Sequence, residues 1–144
     1  MRASLSLADI ECLHELVQGY AAAWLDGSAE AVLCHFTEDA VLLPHHGVQP
    51  AVGEAAVRAF WWPPDAPPTT VIMFELTPQE TGGSGDLGFV WGNFTLKYET
   101  ELDGAPQTVT NAGTFMILAR RERDAEWCIS HHMWDDPVAQ VTSA

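Results

Sequence analysis

Basic residues are scarce in this chain. Its 144 residues include 6 Lys plus Arg against 20 Asp plus Glu, which gives a formal net charge of −14 at pH 7. Proteins that bind phosphate backbones or anionic lipid surfaces gather basic side chains into patches, and this sequence has no such patch. The composition therefore argues against nucleic acid and membrane surfaces as partners.

Cysteines and long apolar runs are scarce as well. Cys12, Cys34 and Cys128 lie far apart and form no CxxC pair, so neither a disulfide framework nor a zinc knuckle is predicted. No apolar run approaches the ~20 residues of a membrane span. The segment from Met1 to Ile10 lacks the apolar core of a secretory signal. We therefore expect a cytoplasmic protein with reduced thiols.

Apolar and aromatic residues are plentiful. Hydrophobic residues make up 47% of the sequence and aromatic residues 10%, which is too rich for a disordered acidic chain. The length is that of one compact domain with a single core. We therefore expect residues 1–144 to form one domain.

Helices are predicted in the first half of the chain. Ser6 to Asp9 has the pattern of a capping box, and apolar residues then recur every three or four positions until Gly27, which predicts one long helix. Ser28 is placed to cap a second helix that ends around Thr37 to Asp39. After a short strand from Ala40 to Pro44, a third helix is predicted from Gly53 to Trp62.

Strands are predicted in the second half, after a proline-rich loop from Pro63 to Pro68 that sustains neither helix nor ladder. Segments rich in β-branched and aromatic residues, separated by turn signals, predict four long antiparallel strands. Their predicted bounds are Thr69 to Gln79, Leu87 to Leu102, Gln107 to Arg121 and Trp127 to Trp134. Helices followed by hairpin-linked strands define an α+β fold. We expect a curved, cone-shaped antiparallel sheet around the long first helix, with two further short helices and a cavity for a small ligand.

Several segments, in this order, resemble the nuclear transport factor 2-like superfamily and its SnoaL-like and ketosteroid isomerase-like branch. They are Val17 to Trp24 followed by Asp26-Gly27, Phe36 to Val41, Gly53 to Arg58, and Arg120-Arg121 with Trp127 to Ile129 and Trp134. The resemblance implies the conical roll of that superfamily. It does not fix one activity, because this fold hosts isomerases, cyclases, hydrolases, dehydratases and association modules.

The resemblance also allows individual positions of this sequence to be compared with the catalytic residues of the related enzymes. In ketosteroid isomerases a tyrosine of the first helix hydrogen-bonds the developing enolate oxygen, and Tyr20 stands at that place. Pro44 stands where that family has its general base, and no carboxylate lies between Asn111 and Phe115, where its second acid is expected. The Asp-Arg-Asp set of the epoxide hydrolase members is also missing. The usual isomerase apparatus is therefore absent.

Histidine is the remaining group suited to proton transfer near pH 7. Neighbours on a strand face opposite ways, so one member of His45-His46 and one of His131-His132 should face the cavity. If Pro44 faces inward, then His46 does too. Alternation leaves the second pair open, and we favour His132 because related proteins often have a polar residue there. Tyr20, His46 and His132 are the candidate catalytic residues. The alternative is that these histidines are structural, at a rim or an interface.

We predict no cofactor and no metal, because the histidine spacing is not diagnostic and no carboxylate is fixed beside either pair. Aromatic and amide side chains are the candidate ligand-binding residues: Trp24, Phe60, Trp61, Trp91, Asn93, Asn111, Phe115 and Trp134. Both faces of the strand from Leu87 to Leu102 are partly apolar. Because a second apolar face needs a cover, we also expect a homodimer.

Two functions from different classes remain. The first is binding of a small apolar or oxygen-bearing organic ligand, with an isomerase, cyclase or hydrolase type of reaction by histidine proton transfer. The second is a non-catalytic dimerisation or protein-association module, whose cavity would be filled by its own Trp and Phe side chains. An open cavity reached by a histidine would favour the first.

Overall fold

A computed structural model describes residues 4–144. The first three residues of the segment considered above for a secretory signal lie outside this range. Within this range, three helices and seven strands follow one another: α1 Leu7–Asp26, α2 Ala29–Leu33, β1 Phe36–Leu43, β2 Ala51–Val52, α3 Glu54–Trp61, β3 Thr70–Ser84, β4 Leu87–Leu102, β5 Ala105–Arg121, β6 Trp127–Asp135 and β7 Gln140–Ser143. Among these residues, no helix combines the length and the apolar character needed to span a membrane.

The long first helix begins and ends as its sequence predicts. The Ser6 hydroxyl accepts from the backbone N–H of Asp9, whose carboxylate accepts from the N–H of Ser6, so the capping box is confirmed. Gly27 ends the helix in the left-handed conformation, at φ 75°. One face is buried in the core, through Leu13, Leu16, Val17, Tyr20, Ala21 and Ala23. Through this face, α1 packs against the concave side of the sheet.

The second helix is shorter than expected. Ser28 caps it, as predicted, but it ends at Leu33, and the chain has already entered β1 at Phe36. The N–H of Ile129 donates to the carbonyl of His35 at 2.8 Å, which begins the pairing of β1 with β6. The structure between Leu33 and Phe36 is therefore determined by pairing with a distant strand and not by local helical periodicity.

The sheet has the order β2-β1-β6-β5-β4-β3, and β7 pairs with the first part of β5. The α+β fold with a curved sheet is confirmed, with one correction. Among the strand pairs of the described residues, β1 with β6 is parallel and the others are antiparallel. Parallel neighbours point the same way, so the residues that follow β1 and those that follow β6 emerge at the same end of the sheet. This pairing positions the site described below.

The strand β5 changes partner along its length. Its second half, from Thr114 onward, pairs with β6, whereas Gln107 to Thr110 pairs with β7. Residues 136–139 form the crossing segment, which connects β6 to β7. β7 was not predicted, because its four residues are exposed and carry no apolar alternation. The crossing places Asp136 inside the cone.

Candidate functional site

The concave side of the sheet encloses a cavity of about 320 Å³ between α1, α3 and the strands. Aromatic and aliphatic side chains form most of its wall, with a few polar groups among them. The lining residues are Tyr20, Trp24, His45, Phe60, Trp61, Thr69, Val71, Phe74, Leu76, Phe94, Leu96, Tyr98, Asn111, His132, Trp134 and Asp136. A mostly apolar wall with few polar groups is typical of small-molecule sites, and the volume lies near their lower limit.

Tyr20 and His132 form a buried polar pair in this wall. The hydroxyl of Tyr20 lies 3.1 Å from Nδ1 of His132, and the residues are 1% and 4% exposed. Burial lowers the pKa of His132 to about 3, so its ring is neutral at physiological pH. Burial also raises the pKa of Tyr20, so its hydroxyl keeps its proton. The pair can hydrogen-bond a ligand oxygen, but a ring so hard to protonate is a poor general base.

A β-bulge decides which histidine of the second pair faces the cavity. Ala119 pairs with Ile129 and Leu118 with His131, which leaves Ser130 as an extra residue in β6. The hydroxyl of Ser130 donates to the carbonyl of Leu118 at 3.2 Å. Because of the extra residue, Ile129 and His132 are both buried although they are three positions apart.

A second set of polar side chains surrounds the carboxylate of Asp136, and the Asp136 side chain is 1% exposed. Nδ1 of His45 donates to Oδ1 of this carboxylate, and Nε2 of His46 lies 3.1 Å from the same oxygen. Nε2 of His46 also lies 2.6 Å from the backbone carbonyl of Asp136, to which it can donate. The two imidazole rings are stacked, with centroids 4.0 Å apart and planes 4° from parallel. A buried carboxylate that accepts from Nδ1 fixes the orientation of the His45 ring.

Two residues of β5 hold Asp136 in place, and a tyrosine of β4 lies in the same wall. Nδ2 of Asn111 donates to Oδ2 of Asp136 at 2.9 Å. Gly113 gives the crossing chain room, because a Cβ there would lie 2.1 Å from the carbonyl oxygen of Asp135. Tyr98 lies in the same wall, and burial together with the negative charge of Asp136 raises the pKa of its hydroxyl. The strand β5 thus supplies both a hydrogen bond and a close backbone approach.

The structure corrects two expectations about the first histidine pair. The alternation that pointed His46 inward does not apply, because β1 ends at Leu43 and His46 lies in a turn at φ 58°. His45 lines the cavity, and the 40% exposed side chain of His46 does not. The premise that no carboxylate is fixed beside this pair is also wrong, since Asp136 contacts both rings. The parallel pairing of β1 with β6 brings these distant residues together.

Five of the eight aromatic and amide candidates line the cavity: Trp24, Phe60, Trp61, Asn111 and Trp134. The other three do not. Trp91 and Asn93 lie on the outer face of β4, where Trp91 donates from Nε1 to Glu80 at 2.7 Å and Asn93 accepts from Gln79. Phe115 is 3% exposed and packs in the core. On β4 the residues that line the cavity are Phe94 and Leu96, on the face opposite to that of Trp91 and Asn93.

An α+β roll that holds a mostly apolar cavity defines a class of small ligand-binding proteins and enzymes, and the sequence comparison gives the family. Residues 17–128 match the SnoaL-like domain, so the chain belongs to the SnoaL-like domain family. No curated protein matches the sequence.

Solved structures show the same fold at low sequence identity. A ketosteroid isomerase-like protein from Erwinia carotovora atroseptica is 16% identical with a TM-score of 0.75, over 91% of this chain and 98% of that one. A protein from Planctomyces limnophilus is 17% identical with a TM-score of 0.72, over 92% and 98%. An NTF2-like protein with a cystatin-like fold from Novosphingobium aromaticivorans is 19% identical with a TM-score of 0.66, over 92% and 84%. At these identities the fold is shared, and the site must be argued from its own residues.

Proposed function

We propose that this protein binds a small, largely apolar, oxygen-bearing organic molecule in the cavity and catalyses proton transfer on it. The observation that carries the proposal is the pairing of His45 with the buried carboxylate of Asp136 in the wall of an apolar cavity. A carboxylate that accepts from Nδ1 stabilises the imidazolium formed when the other ring nitrogen takes up a proton. His45 is therefore the proposed base, and Asp136 positions it.

The buried pair of Tyr20 and His132 has the complementary role. When a base removes a proton next to a carbonyl group, negative charge develops on the carbonyl oxygen, and a hydrogen-bond donor stabilises that charge. The neutral ring of His132 can carry its proton on Nδ1 and donate to Tyr20, which leaves the tyrosine O–H free for the ligand. The resemblance of the solved ketosteroid isomerase-like protein supports an isomerase type of reaction, although this chain uses histidine where a carboxylate base is usual.

β-Tetralone is a suitable probe, because it is a compact apolar ketone with exchangeable hydrogens next to the carbonyl. Proton transfer is measured as the exchange of these hydrogens in D₂O by proton NMR, with and without protein. We expect catalysed exchange that falls on the order of 10²-fold in His45→Gln and in Tyr20→Phe. His14→Gln is the matched control, since His14 contacts Thr81 away from the cavity. Exchange that is unchanged in both cavity variants would contradict the assignment.

A homodimer is a second proposal, supported by the outer face of the sheet. Trp91, Met116 and Met133 lie in register across β4, β5 and β6, and Leu118 lies beside them at 39% exposure. Exposed apolar residues gathered on one sheet face are typical of interfaces. The purely non-catalytic module is disfavoured because the protein's own aromatic side chains leave the cavity open.

A further inference from the structure

The cluster of His45, His46 and Asp136 has the composition of a transition-metal site. Two imidazole nitrogens and one carboxylate oxygen lie within 4.8 Å of one another. These are ligand types that Zn²⁺ and its neighbours in the first transition row accept. We propose that this cluster binds one divalent transition-metal ion, in a mode separate from the proton transfer proposed above.

One ligand–ligand distance already suits an ion, whereas His45 must move away from Asp136. Ligands about 2.0 to 2.2 Å from a tetrahedral ion lie roughly 3.3 to 3.6 Å from one another, and Nε2 of His46 is 3.1 Å from Oδ1 of Asp136. The stacked rings must tilt apart, because a metal lies close to the plane of each imidazole that binds it. His46 can make this movement, since it lies in a turn and its side chain is 40% exposed.

The surroundings support the carboxylate as a ligand. Asn111 holds its second oxygen, and such a bond to a ligand's free atom orients the ligand and strengthens metal sites. The net charge of −14 raises the local concentration of cations around the protein. Three protein ligands leave at least one coordination position free. Because His45 and Asp136 belong to the cavity wall, the ion would lie at the boundary of the ligand cavity.

Metal and proton compete at this cluster. The ion would take the Nδ1 position with which His45 donates to Asp136, so a bound ion and the acid–base pair are alternative states of the same side chains. An ion would also tie His46, which the proposed proton transfer does not use. The two proposals therefore fail independently, since metal binding can be measured without any organic ligand.

The test uses Zn²⁺ alone, added to the 144-residue chain stripped of metal, with calorimetry to give stoichiometry and affinity. We expect one ion per chain, with an affinity at least tenfold weaker in His46→Gly and in Asp136→Asn. Glycine tolerates the positive φ of position 46, so His46→Gly keeps the turn, and circular dichroism checks the folding of both variants. His131→Ala is the matched control, because His131 contacts Ser130 and not the cluster, and we expect wild-type affinity.

Co²⁺ gives a spectroscopic test of the ligand types. Nitrogen and oxygen ligands predict visible d–d absorption without the near-ultraviolet charge-transfer band of thiolate ligands, and this absorption should be lost in His46→Gly. Three results would overturn the proposal: no saturable binding of one Zn²⁺, equal affinity in wild type and His46→Gly, or a thiolate band that assigns the ion to the free cysteines.

Discussion

The hydroxyl of Tyr20 lies 3.1 Å from Nδ1 of His132, although 112 residues separate them along the chain. One belongs to α1 and the other to β6, so this bond joins the helix to the sheet at the cavity wall. Both side chains are buried. The bond therefore contributes to stability as well as to the proposed binding of a ligand oxygen.

We expect Tyr20→Phe to lower the free energy of unfolding by about 1–3 kcal/mol, because it leaves the buried Nδ1 of His132 without a partner. Urea denaturation followed by tryptophan fluorescence measures the loss. Tyr98→Phe is the control, since it removes another hydroxyl from the cavity wall without breaking this bond. Equal losses of unfolding free energy in the two variants would contradict a stabilising role of the hydrogen bond between Tyr20 and His132.

The burial of His132 predicts a dependence of stability on pH. Its pKa is about 3 in the folded protein, whereas an unfolded histidine has a pKa of about 6.5. Between these two pKa values the unfolded chain binds a proton that the folded chain does not. The contribution of the neutral His132 ring to stability is therefore complete above about pH 6.5 and is lost as the pH falls. The limiting slope for one proton is about 1.4 kcal/mol per pH unit.

We therefore expect His132→Gln to have a flatter stability curve than the wild type between about pH 6.5 and about pH 4.5. Urea denaturation at several pH values in this window measures both slopes. His131→Gln, on the neighbouring and less buried position of the same strand, should keep the wild-type slope. If the slope of His132→Gln equals that of the wild type, other groups cause the acid sensitivity.

The strand glycine Gly113 is expected to be intolerant of a side chain. A Cβ there would lie 2.1 Å from the carbonyl oxygen of Asp135 and 2.8 Å from Cβ of Asp136, so the crossing chain must move. We expect Gly113→Ala to cost about 1–3 kcal/mol of stability and to weaken Zn²⁺ binding, since it displaces a proposed ligand.

Gly82→Ala is the comparison for Gly113→Ala. There a Cβ would meet the ring of Phe89 at 3.0 Å, and a side chain can turn aside more easily than backbone. Its loss of stability in chemical denaturation should be the smaller one, with Zn²⁺ affinity unchanged. A Gly113→Ala protein with wild-type stability and Zn²⁺ affinity would contradict the close approach.

The proposed dimer predicts a sharp response to charge on the outer sheet face. We expect light scattering coupled to gel filtration to give twice the chain mass for the wild type and the monomer mass for Leu118→Glu, because a buried unpaired carboxylate is costly. Val138→Glu is the control, since Val138 is exposed in the crossing segment after β6. A monomeric wild type at micromolar concentration would contradict the proposal.

Local signals in the sequence predicted most of the fold. The capping box at Ser6, the left-handed end at Gly27 and the bounds of β4 agree with the structure, because each depends on residues close together in the chain. The end of α2 was misplaced, since the residues around Phe36 follow their pairing with β6 instead of a helical period. Periodicity and turn signals gave the overall order of helices before long strands, and the resemblance to the SnoaL-like branch is confirmed by the family match.

For the candidate site too, the sequence was sufficient to place some residues and not others. Placing Tyr20 on the buried face of α1 needs only helical periodicity, and the sequence determined it. The side on which His132 emerges depends on the bulge at Ser130, which no local signal marks. The outward placement of Trp91 and Asn93 depends on which face of β4 packs against α1, and alternation alone fits either face.

The sequence by itself determined an acidic α+β fold with an apolar concave face, and its resemblance to ketosteroid isomerases showed that few of their catalytic acids are present. Only the tertiary structure decided that one buried carboxylate, Asp136, reaches the cavity beside His45 and His46. The physical reason is that β1 and β6 run parallel, so their carboxyl ends meet, and the chain after β6 bends inward over Gly113. Such a meeting depends on pairing between strands some 90 residues apart, which periodicity along one segment cannot encode.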